Sequence, residues 1–245
     1  MSFLEHLEEL RLRLLHSIAA LGAAFVACWI YSKEIYVFLA QPIQEVLPAG
    51  RTLAYTGLPD PFVLYMKVAL LAGIFLSAPY VLWQVWLFVS PGLHAHERRL
   101  AVPFILFSSA LFVGGGAFGY YVAFPAACRF FISMGAPFEP VITIREYFRL
   151  QTQVLLWMGV VFELPVLIYF FTRIGIVTPR FLWEKFSYAV FIIFVVAAVI
   201  TPPDVVSQLL IALPMVLLYL VGIAISWLFG PRPPADASAA NSPPQ

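Results

Sequence analysis

Apolar residues gather into six runs, at 14–31, 62–89, 101–128, 154–171, 186–200 and 205–229, separated by shorter polar stretches. A helix crossing a ~30 Å hydrocarbon core needs roughly 20 residues. The runs therefore predict an all-α integral membrane protein with six transmembrane helices. The second and third exceed the required length and are expected to tilt or project. The fifth has 15 residues, a rise of only about 22 Å as a helix. Thr201-Pro202-Pro203-Asp204 joins it to the sixth and cannot continue a helix. The last two spans thus predict a short hairpin, which either thins the bilayer beside it or is extended by the polar residues at its ends.

Pro79, Pro103, Pro125, Pro165 and Pro214 interrupt the runs. Prolines inside spans kink helices and leave carbonyls for neighbouring groups to satisfy, so a kinked, concave bundle is expected. Gly115 and Gly119 form a small-xxx-small pair, the pattern of close helix packing. The stretches 32–61 and 129–153 are long enough to cap one surface. Residues 1–229 read as a single transmembrane domain. Residues 230–245, rich in Pro, Ala and Ser, read as a disordered tail.

Residues 2–13 form a distinct preface to the first run. Leu4, Leu7, Leu10 and Leu14 fall on one face at helical spacing, and Ser2 and Glu5 have the spacing of a capping box. The other face carries Glu5, Glu8, Glu9, Arg11 and Arg13. Lys and Arg are the usual residues at such a boundary, so an acidic cluster there needs a reason. One reading is a solvated face with internal pairs, Glu8 with Arg11 and Glu9 with Arg13. The other is an acidic site for a cationic ligand at the membrane surface.

Composition agrees with the hydropathy pattern. The chain is 62% hydrophobic and 11% charged, against roughly 45–50% and 25% for an average soluble domain. Its net charge of +1 argues against a nucleic-acid partner. Cys28 and Cys128 lie in or at the edge of apolar runs with no metal-ligand spacing, and read as packing residues. The N-terminal stretch is largely acidic, which is unlike a cleavable secretory signal. Six spans place both termini on one side. With that side cytoplasmic, its segments hold eight of the 14 Lys and Arg residues, the sign of the positive-inside bias. Trp83, Trp86, Trp183 and Trp227 then fall toward the cytoplasmic boundary, as in an aromatic belt.

Enzyme chemistry finds no support in the sequence: there is no Gly-rich phosphate loop, His-Glu-x-x-His pair or Gly-x-Ser-x-Gly elbow. Two carboxylates stand out instead. Glu163 lies in the middle of the fourth run, where an ionised group costs at least ~2.5–3.5 kcal/mol. It is expected to be protonated or paired, with Gln84, Ser207 and Gln208 as neutral candidates. Glu97 sits in the loop after the second span, on the same side as Glu9. Two carboxylates at one surface suit two guanidinium groups, because an Arg fork makes two parallel hydrogen bonds that Lys cannot copy.

Several short strings coincide, in order and at consistent spacing: His6-Leu7-Glu8-Glu9-Leu10-Arg11-Leu12-Arg13, Ser77-Ala78-Pro79, Gln84-Val85-Trp86, His96-Glu97-Arg98-Arg99, Phe162-Glu163-Leu164-Pro165 and Thr201-Pro202-Pro203-Asp204. From about residue 3 to 229 the chain resembles the TatC family, the polytopic subunits of the twin-arginine protein translocase. The resemblance implies a receptor, without cofactor or catalytic step, for the twin-arginine signal peptides of folded export substrates. It implies that Glu9 and Glu97 contact the twin-arginine motif, with Arg11, His96, Arg98 and Arg99 tuning that site. Glu163 then faces the concave side and meets a polar residue of a single-span partner. Gln208 matches a position linked to partner-helix contact, and Pro42 matches a structural proline of the first outer loop. Further implications are TatA/TatB-type subunits, hetero- and homo-oligomers in the bacterial inner membrane, and transport driven by the proton-motive force.

Two other classes remain for comparison. An ion-coupled solute transporter, with Glu163 as the proton site, predicts a second polar group at midplane depth and broken helices in two related halves. An intramembrane enzyme needs a nucleophile with a base, or a metal cluster.

Overall fold

The computed structural model describes residues 3–45, 52–89, 101–135, 137–138, 141–201 and 204–229. In chain order the helices are α1 (Phe3–Ile30), α2 (Ser32–Gln44), α3 (Asp60–Val89), α4 (Ala101–Phe118), α5 (Phe124–Met134), α6 (Ile144–Phe162), α7 (Leu164–Arg173), α8 (Pro179–Glu184), α9 (Phe186–Ile200) and α10 (Val205–Phe229). A π-helical turn at Gly119–Ala123 joins α4 to α5. The described residues contain no strand, only an isolated bridge between Ala54 and Thr143. Among the described residues, five helical rods are long and apolar enough to cross a membrane: Leu4–Ile30, Asp60–Phe88, Phe104–Met134, Ile144–Arg173 and Val205–Leu228. The remaining predicted span, the fifth run, is the shorter helix α9, with 15 residues.

Neighbouring rods pack antiparallel, and their registers can be read from ring contacts. Along α1 and α3, His6 stacks on Phe88 at 4.5 Å and Trp29 meets Phe62 edge-on at 5.7 Å. Between α3 and α4, Trp86 lies 4.4 Å from Phe104 and Phe75 lies 5.1 Å from Phe112. Trp86 is buried in that contact. It is thus a packing residue rather than a member of the expected belt, whereas Trp83, Trp183 and Trp227 are exposed.

The small pair in α4 does what its spacing predicts. A Cβ on Gly115 would sit 2.4 Å from the Met158 carbonyl oxygen, and one on Gly119 would sit 3.3 Å from Leu155 Cα. Only residues without a side chain allow α4 and α6 this approach.

Three expectations change. The N-terminal segment and first span are one unbroken helix, with no joint near residue 13. Its leucine stripe is left at the surface: Leu4, Leu7, Leu10 and Leu14 are all exposed. The stretches taken as capping loops are largely helical: α2 occupies 32–44, and α6 starts ten residues before the fourth apolar run. Polar letters hid that start, because Gln151, Tyr147 and Phe148 are buried on one face of α6 while Arg145, Glu146 and Arg149 face out. The serine of the proposed capping box, the Pro202-Pro203 pair and the tail at 230–245 lie outside the described residues.

The prolines act in two ways. At Pro125 the helix widens to the π turn, and at Pro165 it breaks, with Glu163 closing a tighter turn onto Val160 (N to O, 3.1 Å). Pro79 and Pro214 lie inside continuous α3 and α10. At the α2 end of the bundle, polar contacts tie the helices together. Tyr120 Oη donates to the Phe38 carbonyl at 2.6 Å, and Gln151 Nε2 donates to the Leu39 carbonyl at 2.7 Å. Ala54 exchanges backbone bonds with Ile142 and Ile144, and buried Asp60 pairs with Arg145 while accepting from the Gly57 amide.

Candidate functional site

Glu9 stands on α1, one turn beyond His6, where the His6–Phe88 stack fixes the helix against the last turns of α3. That register brings Gln84 of α3 toward the acidic face. The Glu9 side chain is only 18% exposed and the Gln84 residue 5%. Arg13, one turn further along α1, bridges them. Its Nη2 donates to Glu9 Oε1 at 3.3 Å and its Nη1 to Gln84 Oε1 at 3.3 Å. The second carboxylate oxygen of Glu9 is buried without a hydrogen-bond donor among the described residues. Arg11 and Glu8 are exposed on the same helix. An open hollow of about 550 Å³ runs along this face, bordered by Glu5, Glu8, Glu9 and Arg13.

The Glu9–Arg13 pair foreseen in the solvated-face reading therefore exists, although its surroundings are not those of a solvated pair. The sequence reading pairs Arg13 only with Glu9 on a solvated face and offers Gln84 only as a partner for Glu163, not the two as members of one site. The signal that was available is their spacing: Arg13 four residues from Glu9, and a glutamine alone in an apolar run. Glu97, His96, Arg98 and Arg99 lie outside the described residues. The chain enters their loop from the same end of α3 on which Gln84 lies.

Glu163 occupies the turn between α6 and α7, where Pro165 cannot supply the amide that a continuous helix needs. It is partly buried, and ten residues separate it from Arg173. That is about 15 Å of helix, half of a ~30 Å core. Its partner is none of the three candidates from sequence. Ser108 of α4, 2% exposed, donates its hydroxyl to Glu163 Oε2 at 2.5 Å. Gln84 is engaged by Arg13. Gln208 Nε2 donates to the Phe194 carbonyl at 2.9 Å and so ties α10 to α9. The Ser207 hydroxyl and Glu163 Oε1 are both buried with no described partner. Asp204, which closes the hairpin, caps α10 by accepting from the Ser207 amide at 2.7 Å.

Pro42 lies inside α2 and is buried. A residue with an amide there would donate to Phe38, four positions back. Proline cannot, and the Tyr120 hydroxyl takes the vacant carbonyl. Among the described residues no group of three His, Cys, Asp or Glu side chains is placed to hold a metal ion. Cys28 and Cys128 are free and buried.

Long apolar rods, with one partly buried acid near the end of α1 and a second at a break within a span, define a multi-pass membrane protein. Residues 5–214 match the family model described as Sec-independent protein translocase protein (TatC). The Sec-independent protein translocase protein TatC of Koribacter versatilis is 43% identical over 236 residues, covering 95% of this chain and 87% of that protein. TatCy of Bacillus subtilis is 41% identical, covering 92% and 89%. The crystal structure of a twin-arginine translocase receptor, TatC, superposes with a TM-score of 0.82 at 31% identity, covering 91% of this chain and 98% of that one. The chain belongs to the TatC family and is a component of the Sec-independent protein translocase. Membership decides against the solute-transporter alternative, even though Ser108 does supply a second polar group beside Glu163.

Proposed function

We propose that this chain is the signal-peptide receptor of a twin-arginine translocase in a bacterial inner membrane. It spans that membrane six times, with both termini in the cytoplasm and α9 and α10 as the short hairpin. Glu9 and Glu97 accept the two arginines of the signal peptide, and Arg11, His96, Arg98 and Arg99 shape the charge around them. Glu163 and Gln208 contact single-span TatA/TatB-type subunits, which assemble around the loaded receptor into a hetero- and homo-oligomer. Export of folded proteins then draws on the proton-motive force, with no chemical step in this chain.

The observation that carries this reading is the half-used carboxylate of Glu9: one oxygen is engaged at 3.3 Å and the other is buried without a donor among the described residues. An unmet carboxylate oxygen costs free energy, and a ligand guanidinium supplies the missing bond. The test separates two jobs. Glu9→Gln and Glu97→Gln are expected to weaken binding of a twin-arginine peptide about 10- to 100-fold, the value of a hydrogen bond to a charged group. Glu163→Ala is expected to leave peptide affinity in place and to reduce co-purification of the single-span subunits. Equal loss of peptide binding in all three variants would contradict the division.

A further inference from the structure

Glu9 is not waiting empty. Its Oε1 is held by Arg13, a guanidinium of the same chain, and Arg13 is held in turn by Gln84. The resident pair is weak by construction. A charge-assisted bond between such groups is usually about 2.7–2.9 Å and often bidentate, whereas this one is single and 3.3 Å long. One donor and one acceptor are left over, Arg13 Nε and Glu9 Oε2, both buried and unmatched among the described residues. Gln84 sits 5% exposed in an otherwise apolar stretch of α3, with its amide oxygen turned to Arg13.

We propose that Arg13 is a built-in stand-in for the ligand, occupying Glu9 in the unloaded receptor, and that Gln84, which already holds its other nitrogen, keeps hold of it when a signal-peptide arginine takes its place. This rests on the assignment of Glu9 to peptide binding. The stand-in keeps the carboxylate neutralised at the membrane surface, where an unpaired charge is costly. An incoming guanidinium gains because its fork reaches both carboxylate oxygens, where Arg13 reaches one. After the exchange Arg13 retains its bond to Gln84, and its positive charge beside the bound arginine keeps the complex releasable. The hollow along Glu5, Glu8 and Glu9 gives the peptide its approach. Since any cationic ligand must displace the same side chain, the displacement cost is common to all of them.

Binding of a labelled twin-arginine peptide, and of its twin-lysine counterpart, to the purified full chain in detergent tests the exchange. Arg13→Gln should tighten both peptides by the same factor, about two- to fivefold for releasing a partly exposed pair. Gln84→Leu releases Arg13 to close on both Glu9 oxygens, so it should weaken both peptides with Arg13 present and have no effect in the Arg13→Gln background, as coupled residues do in a double-mutant cycle. Thermal unfolding of each variant identifies a loss of fold. Should Arg13→Gln not fold, Gln84→Leu carries the test alone, and unchanged binding there would overturn the proposal. Unchanged or weaker binding by folded Arg13→Gln, with Glu9→Gln still defective, would make Arg13 a support for Glu9 and overturn the exchange alone. Normal binding by Glu9→Gln would remove the receptor assignment as well.

Discussion

Pro42 shows how one residue's missing atom is answered elsewhere in the chain. The Phe38 carbonyl has no amide to accept from at position 42, and Tyr120, 82 residues away in sequence, donates to it. Tyr120→Phe should cost about 1 kcal/mol, the usual net value of such a bond. Adding Pro42→Ala restores a backbone amide and should recover part of that loss. Thermal unfolding of the single and double variants measures the coupling, and strict additivity would show that the two residues act independently. The proline was legible as a structural residue, yet its tyrosine was not, because nothing in a sequence states which distant hydroxyl meets a vacated carbonyl. The same limit applies to Glu163. Its need for a partner follows from the cost of a carboxylate in an apolar run, but Ser108 supplied it, and a serine inside a span more often bonds its own helix.

Helices α9 and α10 follow their apolar runs residue for residue, and α3 differs only by two residues at its start. Hydropathy marks an element where burial in lipid or protein is uniform around it. It fails at α6, whose first ten residues bury only one face, and it divides α1 at a change in composition where the backbone continues without a break. Elements approach as closely as their smallest residues permit. Gly115→Ala places a methyl against the Met158 backbone oxygen and the Phe162 side chain, and neither the backbone nor a ring anchored at its Cβ can move aside freely. The expected cost is about 1–3 kcal/mol, typical of overpacking. It should appear as a lower unfolding temperature, whereas Gly114→Ala, which meets nothing within 4 Å, should change it little.

At the scale of the whole molecule, two acids with different surroundings are held in different places: Glu9 at one end of α1 against α3, and Glu163 at the break between α6 and α7. The acidic cluster was legible because acids replace the cations usual at a membrane boundary, and the family resemblance pointed to Glu9 within it. The Arg13–Gln84 clasp was not legible, since the α1–α3 register that creates it is set by ring contacts. The proposed receptor function requires that Glu9 distinguish a forked guanidinium from a point charge. The most direct measurement is equilibrium binding of a labelled twin-arginine signal peptide to the purified chain, beside the same peptide with both arginines changed to lysine. At least about tenfold tighter binding of the arginine peptide is predicted, the gain from one additional charge-assisted bond. Equal affinity for the two peptides, or no binding of either, would contradict it.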